Sequence, residues 1–398
     1  MWKSIAYTGI LLVTLSACEV KVGNPVAASG KQITENHQVA EFDSIQNDSF
    51  FDVIVTQDKA GPLNISGDEK LVPEVETVVE NRKLIIRNKH KTYHFTWAVK
   101  PGTITVSTAQ LRQLESSGSG DMEVRGLSND AFYVQQSGPG DLRLIGKTGK
   151  LSLQVSGSGD LDARQLQTGS VNIDHNGPGD LMLGTVAADT EIHSSGSGDI
   201  RISDVRQGDL KLTQSGPGSV SVHGQISGME ADISGSGDTS VEGLHVDKGN
   251  LQMSGPGDVK LRGEIDTLKL RVSGSGDLDA KNLAIQNLEL IDHGPGSVNL
   301  KTVRKALNAE LDGSGDLDVH FDGAEKIDIA MNGPGDVTLD GIAKALHAQV
   351  QGSGGLKADK LLLDSASIKV TGPSNAVVNV KKAGGSRVVR IDRDGVVQ

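Results

Sequence analysis

The chain has 398 residues, with 39 Lys and Arg against 51 Asp and Glu and a formal net charge of −12. That balance leaves no electrostatic footprint for nucleic acid and would be repelled by anionic lipid surfaces. A single cysteine, Cys18, excludes a disulfide framework, and no apolar stretch beyond the first segment is long enough to span a membrane.

Residues 1–17 read as a signal peptide. Lys3 precedes the apolar run Ile5 to Val13, and Leu15-Ser16-Ala17-Cys18 comes next: a positive start, a short apolar stretch and a small-residue cleavage site. Leu-Ser-Ala-Cys resembles a bacterial lipobox, which implies cleavage before Cys18 and acylation there, palmitate included. Glu19 rather than Asp after the cysteine resembles the sorting pattern for the outer membrane. More than one acyl chain gives stable anchoring, so the expected membrane contact is lipid on Cys18 and not a span. Residues 18–38 lack periodicity and read as the lipidated tether.

Residues 39–116 are expected to form a non-repetitive β region that starts or caps the solenoid. Beyond the tether, the aromatic residues concentrate early: Phe42, Phe50, Phe51, Tyr93, Phe95, Trp97, Phe132 and Tyr133, with only Phe321 later. Bulky rings suit a cap, whereas a thin repetitive interior has room mainly for Val, Leu, Ile and Ala.

From Gly118 the chain becomes periodic. A Gly-Ser or Gly-Pro step, closed by a second glycine in all but the last instance, recurs fourteen times from Gly118 to Gly372, at spacings that alternate between 20 and 19 residues. A fixed period of this kind marks a solenoid, in which each repeat buries its apolar face only against its neighbours. Within one coil, Leu161 and Ala163 alternate with Asp162 and Arg164, and Val171 and Ile173 flank Asn172. Leu142/Leu144, Val259/Leu261 and Leu268/Leu270/Val272 keep the same alternation in other coils. This period of two means short strands with one face in and one face out. The fold class expected is therefore all-β: a single-stranded parallel β-helix, or β-solenoid, of fourteen coils over residues 117–380 with about 19.5 residues per coil. At ~4.8 Å per coil the rod would be on the order of 65 Å long. Residues 381–398 read as a C-terminal tail.

Ten corners continue with aspartate: Asp121, Asp141, Asp160, Asp180, Asp199, Asp238, Asp258, Asp277, Asp316 and Asp336. Stacking puts them in one column, which suits either a weak cation ladder or carboxylates that accept backbone N–H bonds in Asx-type turns. The period of 19 to 20, and the interruptions at Ser219, Ser297, Gly355 and Asn375, favour the turn role, with no metal and no cofactor expected. His175, His193, His223, His245, His293, His320 and His347 fall at differing offsets, form no ligand column, and read as surface residues. Some β-helices process polysaccharides in a lateral groove built from long irregular insertions. The constant loop lengths here argue against such an active site, and no catalytic residues are legible.

Glu41-Phe42-Asp43-Ser44-Ile45, Phe51-Asp52-Val53-Ile54-Val55-Thr56-Gln57, Leu63-Asn64-Ile65-Ser66-Gly67-Asp68-Glu69 and Asn81-Arg82-Lys83-Leu84-Ile85-Ile86 appear in that order. Ile104-Thr105-Val106 and Leu111-Arg112-Gln113-Leu114 then run into Ser117-Gly118-Ser119-Gly120. This arrangement resembles the bacterial auto-transporter adhesin head GIN domain family over residues 41 to about 380. The resemblance implies a parallel β-helix with no catalytic residues to carry over. The last twelve residues, Arg387 to Gln398, are no membrane barrel, so lipid on Cys18 would replace the barrel as anchor. The reading is a non-enzymatic, lipid-anchored envelope protein, on the outer membrane, that presents an elongated surface for binding or adhesion. Its ligand would be an envelope polysaccharide or a protein. The alternatives are a polysaccharide-binding or polysaccharide-processing β-helix, and a structural rod that assembles end to end.

Overall fold

Period-two alternation interrupted by glycine corners becomes a parallel β-solenoid. The computed structural model describes residues 29–90, 102–382, 385–392 and 395–397. Cys18, the signal peptide and Tyr93, Phe95 and Trp97 lie outside the described residues.

The non-repetitive strands come first: β1 (Gln32–His37), β2 (Ser44–Asp48), β3 (Asp52–Gln57), β4 (Leu63–Asp68), β5 (Val75–Glu80), β6 (Lys83–Asn88), β7 (Thr103–Thr108) and β8 (Gln113–Ser116). One 3-10 turn, Val72–Glu74, precedes β5. The repeat strands then run from β9 (Met122–Gln136) to β22 (Gly355–Val370). Each coil is a single bent strand of 14 to 16 residues, except one split into Leu181–Val186 and Thr190–Ser194. The Gly-Ser/Pro-Gly corner alone breaks the strand; the other bend is absorbed by a bulge, where the register shifts between neighbouring coils. Fourteen corners thus bound thirteen complete turns, and the fourteenth corner, Gly372-Pro373-Ser374, leads into a closing hairpin instead of another coil.

Register is strict. Leu142, Leu161, Leu181, Ile200, Val220, Thr239, Val259, Leu278, Val298, Leu317, Val337 and Leu356 are successive partners in one inward column. All are buried. Because the side-chain period is two, a one-residue slip would turn every such column outward, and this constraint fixes the spacing.

The corner glycines are explained by close approach. A Cβ on Gly157 would sit 2.1 Å from the carbonyl oxygen of Gly138 in the coil below, and most corner glycines meet the preceding coil in the same way. Positive φ is needed mainly elsewhere: Gly146, Gly224, Gly243, Gly263 and Gly341 adopt it at the second bend. The repeat pattern in the sequence had shown only the first set.

Both ends are closed by antiparallel strands. On one face the order outward from β9 is β3, β7, β4, β1; on the other it is β8, β2, β6, β5. The β7–β4, β4–β1 and β6–β5 pairs are antiparallel. Residues 32–37 therefore belong to the folded body, although the sequence placed them in the tether. Phe42, Phe50 and Phe51 fill this end, with Phe50 and Phe51 ring centroids 5.1 Å apart. At the far end β23 (Asn375–Lys382) continues the parallel stack and folds back as β24 (Gly385–Ile391), while β25 (Val396–Val397) pairs antiparallel with β22. The stretch read as a C-terminal tail is thus part of a cap.

Candidate functional site

The aspartate column is an inter-coil ladder. Asp52 Oδ1 accepts the N–H of Asp121 (3.1 Å); Asp121, Asp141, Asp160 and Asp180 then accept from Asp141, Asp160, Asp180 and Asp199 at 2.8–2.9 Å. Asp199 accepts from Ser219, where the first run stops because serine offers no carboxylate to the next coil. Asp238, Asp258 and Asp277 carry a second run to Ser297. Asp316 and Asp336 carry a third to Gly355, where Lys357 Nζ reaches back to Asp336 (2.6 Å) and lowers its carboxyl pKa. Each carboxylate thus binds the equivalent residue one coil later, whereas the Asx-turn expectation had placed the partner within the same turn. Asp52, absent from the sequence reading of the ladder, starts it; Phe51-Asp52-Val53 occupies the place of Gly-Asp-Leu without a glycine to mark it.

Beside this ladder the sheet face forms a shallow groove made without any insertion. One stretch, a depression of about 990 Å³, is lined by Asp121, Asp141 and Asp160 together with Glu123, Arg143 and Asp162. Another, of about 1020 Å³, is lined by Asp238, Asp258 and Asp277 with Lys260, Asp279 and Lys281. Two carboxylates of the first stretch are paired with arginine. Arg164 grips Asp162 with two bonds of 2.9 Å, and this holds the carboxyl at about 2. Arg125, at 2.7 Å, likewise lowers Glu123. Among the described residues no group of three His, Cys, Asp or Glu side chains is arranged to hold a metal ion.

A second column lies inside the solenoid, at the residue two places before each corner glycine; it is polar at Ser116, Gln136, His175, Ser194, Gln214 and Asp292 and apolar in the other coils. Gln136 Nε2 donates to the carbonyls of Gly140 (2.9 Å) and Gly159 (3.0 Å), and Gln214 Nε2 to those of Gly218 (2.7 Å) and Gly237 (2.9 Å). Thr239, the one polar member of its inward column, donates its hydroxyl to Gln214 Oε1. His175 is fully buried at the equivalent place and donates Nε2–H to Gly179 (2.7 Å), so the surface reading fails for this histidine. It lies 39 residues from both Gln136 and Gln214, which is the signal that would have found it. Asp292 takes the same position further along. There it is 2% exposed and accepts the Gly294 N–H at 2.9 Å, and burial pushes its carboxyl up to about 6.

A family model described as "Putative auto-transporter adhesin, head GIN domain" matches residues 41–225, 190–323 and 303–389. The chain belongs to this family. The overlap of the three matches is a consequence of the repeat, since equivalent coils satisfy the same pattern. Similar solved structures include two described as putative adhesins. One, from Parabacteroides merdae, is 14% identical, covers 83% of this chain and 98% of its own, and has a TM-score of 0.31. The other, from Bacteroides fragilis, is 18% identical, covers 83% and 97%, and has a TM-score of 0.25. A third, described as a putative lipid binding protein from Parabacteroides distasonis, is 18% identical, covers 80% and 100%, and has a TM-score of 0.30. No curated protein matches the chain. The family is described by adhesion and not by an enzymatic activity, and among the described residues no helix is long and apolar enough to cross a membrane.

Proposed function

We propose that this is a non-enzymatic envelope protein, anchored by lipid on Cys18 at the outer membrane, whose lateral groove binds an extended polar ligand. The ligand class is an envelope polysaccharide or an unfolded protein segment laid along the rod. The observation that carries this reading is the groove itself: a column of carboxylates, broken at Ser219, beside a column that changes from coil to coil among Glu123, Arg143, Asp162 and Met182 in one stretch and Ser221, Ser240, Lys260, Asp279 and Asn299 in the other. A linear polymer with its own short repeat could meet an aspartate at successive steps within each run, and repeated weak contacts then add through effective concentration. The arginine pairing of two groove carboxylates supports binding over catalysis at those positions. Asp162 and Glu123 are held as anions by arginine, whereas a general acid needs a pKa near the working pH.

Two measurements test the two halves of the reading. Cys18→Ser should leave the protein in the soluble periplasmic fraction or as an unprocessed precursor; normal processing with full recovery in membranes would refute lipid anchoring. Purified protein should bind envelope polysaccharide or surface-protein extracts in a salt-dependent way, and Arg143→Glu with Lys260→Glu should weaken that binding by roughly tenfold or more, a like-charge penalty at two groove positions. Binding indifferent to both substitutions would place the ligand site elsewhere.

A further inference from the structure

The two tips of the rod carry opposite charge on edges that, among the described residues, have no strand partner on their outer side. At the N-terminal tip the backbone of β5 pairs, among the described residues, with β6 alone, and Thr77 Oγ1 meets His37 Nδ1 of β1 at 3.0 Å. The six residues of β5, Val75-Glu76-Thr77-Val78-Val79-Glu80, bear two carboxylates. At the C-terminal tip β24 hydrogen-bonds only to β23, and its seven residues include Arg387 and Arg390. Apolar surface gathers at the same end: Val388 and Val396 are 56% and 61% exposed, two of the three exposed large hydrophobic residues among those described.

We propose that the β24 edge of one molecule adds to the β5 edge of a second copy, joining rods head to tail. An unpaired edge is a template for strand addition, and charged residues ordinarily guard it. Here the guard is selective. Two β24 edges would set arginine against arginine, and two β5 edges glutamate against glutamate, each destabilising across a strand pair. β24 against β5 opposes unlike charges over strands of similar length. Arg387 and Arg390 lie on opposite faces and Glu76 and Glu80 on one, so each register sets one arginine opposite a glutamate, and Arg390 would exchange Asp392, now at 3.1 Å, for it. The other outer edge of the N-terminal tip, β1, carries a single carboxylate, Glu35, which already lies 3.2 Å from His37 Nε2. Glu76 already pairs with Arg87 on β6 at 2.8 Å, so its carboxylate would be shared, while Glu80 is exposed at the end of the strand. A contact between two different surfaces leaves one of each free, and with the two at opposite tips of a rod its product is an open filament and not a dimer. This inference concerns the tips alone and stands apart from any ligand in the groove.

The test uses the full chain carrying Cys18→Ser, which removes lipid as a cause of association, with sedimentation velocity and electron microscopy over a concentration series. Rods in integral multiples of one length are expected, shortening as salt is raised. Glu76→Lys with Glu80→Lys in one variant, and Arg387→Glu with Arg390→Glu in another, should each give single-length rods alone. An equal mixture should recover multiples, because every junction then pairs opposite charges again. Single-length wild type at all concentrations, assembly of either variant to the wild-type extent, a mixture that stays single, or growth that stops at two would each overturn the proposal. Thermal melting checks that both variants fold. If a charge reversal lowers the melting temperature, Arg387→Gln with Arg390→Gln replaces it, and wild-type assembly by that variant overturns the proposal equally.

Discussion

The N-terminal cap and the solenoid use the same strands and the same alternation, yet they solve packing in different ways. In the cap, strands of four to six residues are joined by turns of varied length, three rings fill the interior, and antiparallel pairs close the edge. In the solenoid, Phe132, Phe321 and the imidazole of His175 are the buried rings among the described residues, and most inward positions repeat the apolar character of the coil before. The cap is specified by individual residues and the solenoid by a count. Errors of identity should therefore hurt the cap most, and errors of length the solenoid.

The sharpest break of that contrast is a one-residue insertion. An alanine placed between Leu268 and Lys269 turns Leu270 and Val272 outward and mismatches both neighbouring coils, and the loss should exceed the roughly 2–5 kcal/mol of Leu270→Ala. The same insertion after Lys59, in the exposed connection between β3 and β4, should shift stability by about 0.5 kcal/mol or less. Thermal melting and hydrogen exchange compare the three; equal losses would refute a register-limited solenoid.

Glycines sharpen it next. Gly157→Ala drives a methyl group to 2.1 Å from a backbone carbonyl that belongs to the stack and cannot move alone, so about 3 kcal/mol or more should be lost. Gly323 has φ of +84° but nothing within 4 Å of an added Cβ, so Gly323→Ala should cost only about 1 kcal/mol. If the two lose the same, backbone conformation and not close stacking governs the corners.

The corners, the inward columns and the aspartate column were legible in the sequence because a period multiplies each signal by the number of coils. Asp52 was not, because it performs the ladder's first step in a segment outside the period. Strand β1 and the β23–β24 hairpin were missed for a related reason: each is used once, and its pairing depends on partners more than twenty residues away or on a chain reversal with no repeat behind it. His175 was hidden differently. Its column accepts Gln, His, Ser, Met, Val and Asp, since a corner carbonyl needs only some nearby donor or a tolerable neighbour. The groove was unexpected because its walls are ordinary strand residues, and nothing in loop length announces them.

Asp292 tests that tolerant column at a smaller scale. Its folded pKa of about 6 lies above the ordinary carboxyl value of 3.8, so its contribution to stability is fully present below about pH 4 and is lost as pH rises through about 6. Asp292→Asn should be more stable than wild type at pH 8, by about 1–2 kcal/mol after discounting for screening, since the amide oxygen still accepts the Gly294 N–H and no charge is buried. The advantage should vanish by pH 4. Melting curves at pH 4, 6 and 8 check both the sign and the window; a constant difference across that range would show that Asp292 does not titrate there.

The smallest expected effect belongs to the aspartate ladder, which contrasts with Asp292 because its carboxylates face solvent. Asp258 Oδ1 accepts the Asp277 N–H at 2.9 Å, and the Asp258 N–H in turn goes to Asp238. Asp258→Ala removes only the first of these bonds and should cost about 1 kcal/mol. Asp258→Asn keeps an oxygen in the same place and should be nearly neutral. A cation ladder would behave otherwise. It would need the negative charge as well as the oxygen, so the asparagine variant would lose as much as the alanine one. Calcium would then raise the melting temperature in proportion to the logarithm of its concentration above its affinity. The ladder as observed requires neither, because each carboxylate already has a backbone donor from the next coil. Chelator should therefore leave the wild-type melting temperature within about two degrees, the size expected of a change well under 1 kcal/mol. A larger drop on chelation that is also shared by Asp258→Asn would mean that the column stabilises the rod by binding cations and not by stapling one coil to the next.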